Sequence, residues 1–480
     1  MSELHDIAVI GTGTMGGNLV LNLLDKGMSV VAMDRNDEKL QALKQRSGDN
    51  PHLTTTRALR CLVEALSSPR KILLSLPAGD GVDELVSTLT AHLEPSDVVA
   101  DLGNSHFQRT ESRGLVLARS GIRFLGIGVS GGKKGAREGP SIMVGGHEVG
   151  YRPLKPILSA IAAHGDGPCV AYLGSGGAGH LVKTVHNAVE YAEIQLLAET
   201  YLIMRQHAQL TNEQTADVFE QWNDGQTASY LTHEASRVLR IQDEGRRAIV
   251  DLIEDVAAHK GTGRWAVQTA LDFSSPTPSL SAAVDARLLS ARKQERLTNQ
   301  KRYNKSKERL GCESNVNQQD FLGQLKGALL ASRILNYVQG LDLIRKVSDE
   351  MEYNTRLSEV IRVWKAGSIV QSAVLNPLHA ATLDIPAGNL LVHPKILYLL
   401  SPLIPDLRRM VALTTSQAYP APVLRAGLSY FDQITSEKLP ANLIQALRDA
   451  FGDHGFKRVD TEGTHHLPDE LSDEDPGQID

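Results

Sequence analysis

The chain has 480 residues, more than one ordinary hydrophobic core organises, so two or more domains are expected. Hydrophobic residues at 41% and charged residues at 22% give the balance of a globular protein, and a formal net charge of −6 gives no reason to expect nucleic acid or an anionic membrane as partner. Three scattered cysteines (Cys61, Cys169 and Cys312) do not make a disulfide framework or a cysteine zinc site, and they suit a reducing compartment.

Ser2-Glu3-Leu4-His5-Asp6 leads directly into a strand-like run, with no basic segment followed by a long apolar one, and no apolar stretch approaches the length of a membrane span. A cytoplasmic protein with no membrane span is expected. Ile7-Ala8-Val9-Ile10, Ser29-Val30-Val31-Ala32-Met33, Lys71-Ile72-Leu73-Leu74-Ser75-Leu76, Val98-Val99-Ala100-Asp101 and Arg123-Phe124-Leu125-Gly126-Ile127 read as buried strands. Helix-length segments separate them, which is the pattern of a parallel sheet with crossover helices. After Gly174-Ser175-Gly176-Gly177-Ala178-Gly179 the rhythm changes. Helical periodicity runs from His180 to about residue 310, and again from about Gln318 to Ser372. The expected architecture is a Rossmann-type α/β dinucleotide-binding domain over 1–178, an all-α domain over 179–436 and a C-terminal tail over 437–480. The charged stretch from Arg292 to Arg309 reads as solvated surface. The acidic last dozen residues read as disordered, with His465-His466 in a mobile polar tail that lacks a third metal ligand.

Gly11-Thr12-Gly13-Thr14-Met15-Gly16 follows the first strand and opens a helix. Glycine at the first position permits a tight turn, at the second it lets the backbone approach a pyrophosphate, and at the third it allows helix and strand to pack closely. The helix N-terminus then offers unpaired N–H groups to that phosphate. Asp34, roughly 20 residues beyond Gly11, ends the second strand, where an acid binds a ribose 2′-hydroxyl and repels a 2′-phosphate, favouring NAD. Arg35 beside it favours NADP, by pairing with a 2′-phosphate or stacking on adenine. The choice between NADP and NAD stays open.

Lys183, His186, Asn187, Glu190 and Tyr191 are spaced i, i+3, i+4, i+7 and i+8, within one side of a helix. A core-facing stripe with that spacing should be apolar, and this one is entirely polar or ionisable inside an apolar segment, which points to a catalytic helix. Lys260-Gly261-Thr262-Gly263 can present an ammonium, a hydroxyl and backbone N–H groups to one anion, and Ser130-Gly131-Gly132 after a strand is a second candidate nest.

Together these motifs resemble the decarboxylating 6-phosphogluconate dehydrogenases of the long-chain form, from Ile7 to about Phe456. Asp101-Leu102-Gly103-Asn104-Ser105, Gly128-Val129-Ser130-Gly131-Gly132, Gly139-Pro140-Ser141-Ile142-Met143, Gly177-Ala178-Gly179-His180 leading into Lys183, and Lys260 to Trp265 carry the likeness. So does Leu439-Pro440-Ala441-Asn442-Leu443-Ile444-Gln445-Ala446 with Arg448, Asp449, Phe451, Gly452 and His454. The resemblance implies oxidative decarboxylation of 6-phosphogluconate to ribulose 5-phosphate, the pentose phosphate pathway reaction, with no metal. It implies Lys183 as general base and Glu190 as the acid that protonates C1. Tyr191, Lys260, Thr262, Arg287 and the partner subunit's Arg448 would hold the phosphate. Ser130, Gly131, Gly132, Asn104, His186, Asn187 and His454 would orient hydroxyls and carboxylate. Gly11, Gly13, Thr14, Met15, Gly16, Asp34, Arg35, Leu76, Ala78 and Asn104 would meet the dinucleotide. A homodimer follows, because the family's tail completes its neighbour's site.

Departures from the family pattern fall at Asp34-Arg35-Asn36, where NADP-dependent members have Asn-Arg-Ser/Thr, and at Pro77, Lys133 and His259, where they have Lys, an acid and Asn/Gln. Two other readings compete: a β-hydroxyacid dehydrogenase acting on a small unphosphorylated acid, and a non-catalytic dinucleotide-binding regulator. The first group lacks the second helical set, and the second has no use for two proton-transfer groups.

Overall fold

The computed structural model describes residues 4–258, 261–303, 317–384 and 388–468. Residues 1–428 make one compact unit and 429–480 another. The first opens with alternating strands and helices: β1 (Ile7–Ile10), α1 (Thr14–Asp25), β2 (Val30–Met33), α2 (Asp37–Arg46), β3 (Leu53–Thr56), α3 (Leu59–Glu64), β4 (Lys71–Leu74), α4 (Asp80–Thr90), β5 (Val98–Asp101), α5 (Phe107–Ala118) and β6 (Arg123–Ser130). Then come α6 (Gly132–Glu138), β7 (Ser141–Gly146), α7 (Glu148–Tyr151), α8 (Lys155–Ile161), a small hairpin of β8 (His164–Gly165) and β9 (Gly167–Pro168), and β10 (Val170–Gly174). Eight of these strands form one sheet in the order β10-β7-β6-β5-β4-β1-β2-β3. Its central strands are apolar runs because both faces are covered. Ile7 and Val9 enter one buried cluster, and Ala8 and Ile10 enter the other.

The five strands read from the sequence are present, with ends shifted: β4 stops at Leu74, and β6 continues to Ser130. The sheet is not wholly parallel, because β7 returns antiparallel to β6, pairing Ser130 with Ser141. Three of its strands, β3, β7 and β10, carry weak sequence signals. The Thr-rich β3 sits half-buried at the sheet edge, and β7 and β10 both end in glycine.

Helices follow: α9 (Ala178–Gln206), α10 (Asn212–Trp222), α11 (Tyr230–Leu239), α12 (Thr262–Asp272), α13 (Pro278–Ser290), α14 (Lys293–Arg302), α15 (Gln318–Glu350), α16 (Leu357–Trp364), α17 (Leu375–Asp384), α18 (Pro394–Leu400), α19 (Ile404–Ser416) and α20 (Pro422–Ile434). The helical run therefore extends well past the Ser372 expected from periodicity. Helices α9 and α15 pack along each other around a fully buried ion pair, with Arg333 Nε donating to Glu193 Oε2 over 2.7 Å. Arg333 also donates to Thr227 O, and Asn336 to Glu193 Oε1, so neither buried charge is left without hydrogen bonds. Farther along α9, Glu199 accepts the backbone N–H groups of Val423 and Leu424 at the start of α20. As expected, α14 is exposed, and Lys293 and Arg296 pair with Asp255.

The second unit contains α21 (Ala441–Gly452), whose Leu443, Ile444, Leu447 and Phe451 are exposed. Its last described residues are not the mobile tail expected at His465-His466. His465 pairs with Phe456 through two backbone hydrogen bonds, and His466 Nδ1 lies 3.0 Å from Asp449 and 2.7 Å from Asp453. Asp449 and Asp453 supply the ligand-type neighbours that the sequence did not reveal, and here they act as hydrogen-bond acceptors: Asp449 also caps the backbone N–H groups of Gly455 and Leu467. Among the described residues no helix is long and apolar enough to cross a membrane. The last dozen residues, Cys312 and the end of the charged stretch lie outside the described residues.

Candidate active site

The β1–α1 turn is built by close packing. A Cβ on Gly16 would lie 1.8 Å from Gly11 O, and one on Gly11 would lie 2.4 Å from Ser75 O. A Cβ on Gly13, by contrast, would meet nothing within 4 Å, and the α1 N-terminus carries no side-chain cap and no acid in its first turn. This leaves an open, N–H-lined cradle that suits a pyrophosphate. Thr14 is exposed at its lip, and Met15 packs against the sheet core. Leu76 is half-buried near Gly11, with Ala78 exposed beyond it.

Asp34 does not stand free at the strand end. Its Oδ2 accepts the Thr12 N–H (2.8 Å) and hydroxyl (3.1 Å), and its Oδ1 accepts the Asn36 N–H (3.0 Å). Partial burial pushes this carboxyl up, but the Asn36 and Thr12 hydrogen bonds and the Lys39 charge outweigh it and hold it below the usual carboxylate value. Asp34 therefore braces the glycine turn while remaining an anion at the place where a ribose would lie. Arg35 is exposed beside it.

Helix α9 begins where β6 and β7 leave room for it. A Cβ on Gly179 would lie 2.3 Å from Gly126 O, and one on Gly145 would lie 2.2 Å from Gly179 N. One turn later, a Cβ on Gly128 would lie 2.4 Å from Lys183 Cβ. These glycines let the helix sit directly on the sheet, which puts the expected polar stripe inside the protein. Lys183, His186, Asn187 and Tyr191 are buried, and Glu190 is nearly so. Burial drives the Lys183 amine down to about 8, with Glu190 pulling it back up. Burial raises the Glu190 carboxyl, against the charges of Lys183 and Arg287. An amine and a carboxyl displaced toward each other in this way can take up and return one proton near neutral pH.

His186 joins this stripe to the sheet. Its Nε2 lies 2.8 Å from Ser130 Oγ, and its Nδ1 lies 3.3 Å from both Lys183 Nζ and Asn187 Oδ1. Burial and the Lys183 charge keep its ring well below the ordinary histidine value, hence neutral. Asn187 Nδ2 donates to Asn104 Oδ1 over 3.4 Å. The loop carrying Asn104 is held by Asp101, which accepts the Gly103 N–H and the Ser105 hydroxyl and pairs with Arg113. Gly131 (φ +108°) and Gly132 (φ +59°) turn the chain from β6 into α6.

A second cluster lies one turn farther along α9. The Arg287 guanidinium stacks 3.4 Å from the centroid of the Tyr191 ring. Gly263 makes room for that ring, since a Cβ there would come within 2.7 Å of it. Thr262 begins α12 after Gly261 (φ +92°). Lys260 and His259 lie outside the described residues. Arg448 and His454 belong to the second unit, on and just after α21, and both are exposed.

Sequence reasoning missed one group. The loop after α16 brings Ser368 Oγ to 2.9 Å from His186 Nε2, and the Ile369 N–H donates to Ser130 Oγ. No motif marks Ser368; only its place in the fold does.

Two family models divide the chain. The NAD binding domain of 6-phosphogluconate dehydrogenase matches residues 6–174, and the 6-phosphogluconate dehydrogenase C-terminal domain matches residues 179–469. The decarboxylating 6-phosphogluconate dehydrogenase of Escherichia coli (strain K12) is 37% identical over 467 residues, 96% of this chain and 98% of that one. The NADP(+)-dependent, decarboxylating enzyme of Bacillus subtilis (strain 168) is 38% identical over 466 residues, with the same shares covered. Among solved structures, 6-phosphogluconate dehydrogenase of Plasmodium falciparum, determined in apo form and in complexes with NADP+ and with 6-phosphogluconate, superposes with a TM-score of 0.92 at 35% identity, covering 96% of this chain and 99% of that one. With both halves matched and its relatives aligned almost end to end, the chain belongs to the 6-phosphogluconate dehydrogenase family.

Proposed function

We propose that this oxidoreductase converts 6-phosphogluconate to ribulose 5-phosphate and CO₂. The reading rests above all on Lys183 and Glu190, a buried and a nearly buried group on one face of α9 whose proton affinities are driven toward each other. A nicotinamide dinucleotide bound at the Gly11–Gly16 turn supplies the hydride acceptor. Neutral Lys183 takes the proton of the substrate's 3-hydroxyl as C3 loses hydride. The resulting 3-keto acid sheds its carboxyl group as CO₂, its electrons moving into the carbonyl, and the Lys183 ammonium stabilises the oxygen that gains charge. Protonated Glu190 then delivers its proton to C1 of the enediol. Asn104, Ser130, Gly131, Gly132, His186 and Asn187, with the partner subunit's His454, orient hydroxyls and carboxylate. Tyr191, Lys260, Thr262, Arg287 and the partner subunit's Arg448 take the phosphate, and the Arg287–Tyr191 stack supports this by fixing one guanidinium beside the helix.

The cofactor is NADP or NAD, with Asp34 favouring NAD. This carboxylate is held anionic beside the glycine turn, where a 2′-phosphate would meet it. The same reading divides the chain into a dinucleotide domain (1–178), a helical domain (179–436) and a tail (437–480) that completes the site of a second copy in a homodimer. The exposed apolar row on α21 supports that role. No metal, nucleic acid or membrane is required, and the reaction belongs in the cytoplasm.

The test is NAD(P)H formation and CO₂ release from 6-phosphogluconate, with 3-hydroxyisobutyrate as control. Activity on the control alone would sink the reading, and no turnover with either dinucleotide would favour a non-catalytic regulator. Lys183→Ala should abolish turnover while dinucleotide binding persists. The kcat/KM for NAD should equal or exceed that for NADP; a large NADP preference would mean that Arg35 outweighs Asp34.

A further inference from the structure

His186 Nε2 lies between two hydroxyls, Ser130 Oγ at 2.8 Å and Ser368 Oγ at 2.9 Å. Each oxygen also accepts a backbone N–H, from Ile369 for Ser130 and from Val370 for Ser368, both over 3.3 Å. A hydroxyl oxygen has two lone pairs. One is filled by the backbone N–H and one remains; an unprotonated Nε2 could accept from only one of the two hydroxyls, whereas an Nε2–H can be shared by both oxygens, so the paired contacts favour the proton on Nε2. With the proton on Nε2, Nδ1 is an acceptor for the Lys183 amine, whose Nζ lies 3.3 Å away; Asn187 Oδ1, at the same distance, favours the opposite tautomer, so the two hydroxyls at Nε2 are what hold the proton there. An amine carries N–H bonds in both of its charge states, so this contact persists as the lysine takes up and gives back a proton. The imidazole is further confined by the edge of the buried Trp364 ring, 5.6 Å from its centroid.

Ser368 sits at the centre of this clamp although it is distant in sequence. Its loop is locked onto the sheet: a Cβ on Gly131 would lie 2.6 Å from Gly367 O, and that same oxygen accepts the Ser141 N–H. The charged or titratable groups facing Lys183 are His186 and Glu190 of its own helix, with Arg287 of α13 acting on Glu190. Ser368 adds no charge to this set. Its contribution is orientation.

We propose that Ser368 is a positioning residue for the reaction: by sharing the His186 Nε2–H with Ser130, it fixes the tautomer and tilt of the imidazole, whose Nδ1 then aims the Lys183 amine at the substrate. This rests on the functional reading above, in which Lys183 is the base. It adds a loop of the helical domain, outside every motif of the site, to the groups that control that base.

The experiment compares Ser368→Ala, Ser368→Thr and the wild type in pH profiles of kcat and KM for 6-phosphogluconate. Without its second anchor the ring is free to swing, so Ser368→Ala should lose about tenfold in kcat with KM changed less than twofold. Loss of the Nδ1 acceptor removes a hydrogen bond that favours the ammonium, so the acidic limb of the profile should move to lower pH. Ser368→Thr keeps the hydroxyl and should recover most of kcat and the original limb. An unchanged kcat and profile in Ser368→Ala would overturn the proposal. So would equal losses in both variants that track a lowered Tm with the limb unmoved, the signature of a purely structural serine. Independently of any variant, ¹⁵N-histidine spectra of the wild type should show His186 neutral and protonated on Nε2 at neutral pH; a cationic ring or a proton on Nδ1 would overturn it. A wild type that does not turn over 6-phosphogluconate would defeat the functional reading, whereas an active wild type with an indifferent Ser368→Ala defeats only this inference.

Discussion

Lys183 and Glu190 are best regarded as a pair holding one proton. The neutral amine with the protonated carboxyl carries the same proton count as the ammonium with the carboxylate, so the interconversion needs no exchange with solvent. Burial favours the uncharged arrangement, and the mutual attraction of the charges favours the other. One consequence is directly measurable. With the lysine held at about 8, kcat/KM should rise toward pH 8 as the amine loses its proton and fall at higher pH, where the pair gives up the proton that Glu190 delivers to C1. An acidic limb near the ordinary lysine value would show that the amine is not desolvated in solution. The five polar residues of this stripe are legible in the sequence because they invert the amphipathic rule: polar groups recur where a buried helix face requires apolar ones. Asp34 is only half legible. Its identity and position can be read, but its three hydrogen bonds to Thr12 and Asn36 cannot. Ser368 cannot be read at all, since a serine in a loop 182 residues from its histidine partner has no local pattern.

At the scale of elements, the site depends on how closely α9 approaches the sheet. Gly128 is the control that bears on the lysine itself: any Cβ there strikes the lysine's own Cβ at 2.4 Å, a contact that a rotamer change cannot relieve. Gly128→Ala should therefore lower kcat about a hundredfold by displacing the amine, while costing about 1–3 kcal/mol of stability, measured as kcat alongside denaturant unfolding. A folded variant with wild-type kcat would refute the steric argument. The long apolar strands are legible because both of their faces are covered. Strand β7 is not, because an antiparallel return ending in two glycines resembles a loop. Yet β7 supplies Gly145, against which the first turn of α9 rests. The parallel pattern of the first third thus located the β1–α1 glycine turn and missed part of the platform beneath α9.

For the whole molecule, the order of a sheet-rich part followed by a helix-rich part was legible, since the change of period after Gly179 is abrupt. The proposed homodimer rests on resemblance. The exposed row Leu443, Leu447 and Phe451, with Ile444 beside it, repeats every four residues along α21, as a helix face that packs against a partner should. Phe451→Glu should shift the protein toward monomers in sedimentation velocity and raise the KM for 6-phosphogluconate at least tenfold, because Arg448 and His454 share its segment. A dimeric variant with unchanged KM would argue against the tail as an interface element.

The length of α9 has a consequence for which faulty versions of this protein can exist. Lys183 and Glu193 lie on one uninterrupted rod, so deleting a residue between them turns one relative to the other by about 100°. If the base kept its place, Glu193 would swing away from the fully buried Arg333, and an unpaired interior charge costs about 3–5 kcal/mol. That is a large part of the total stability of a typical domain. Chains whose catalytic register has slipped should therefore be removed by failing to fold rather than persist as intact but idle enzyme.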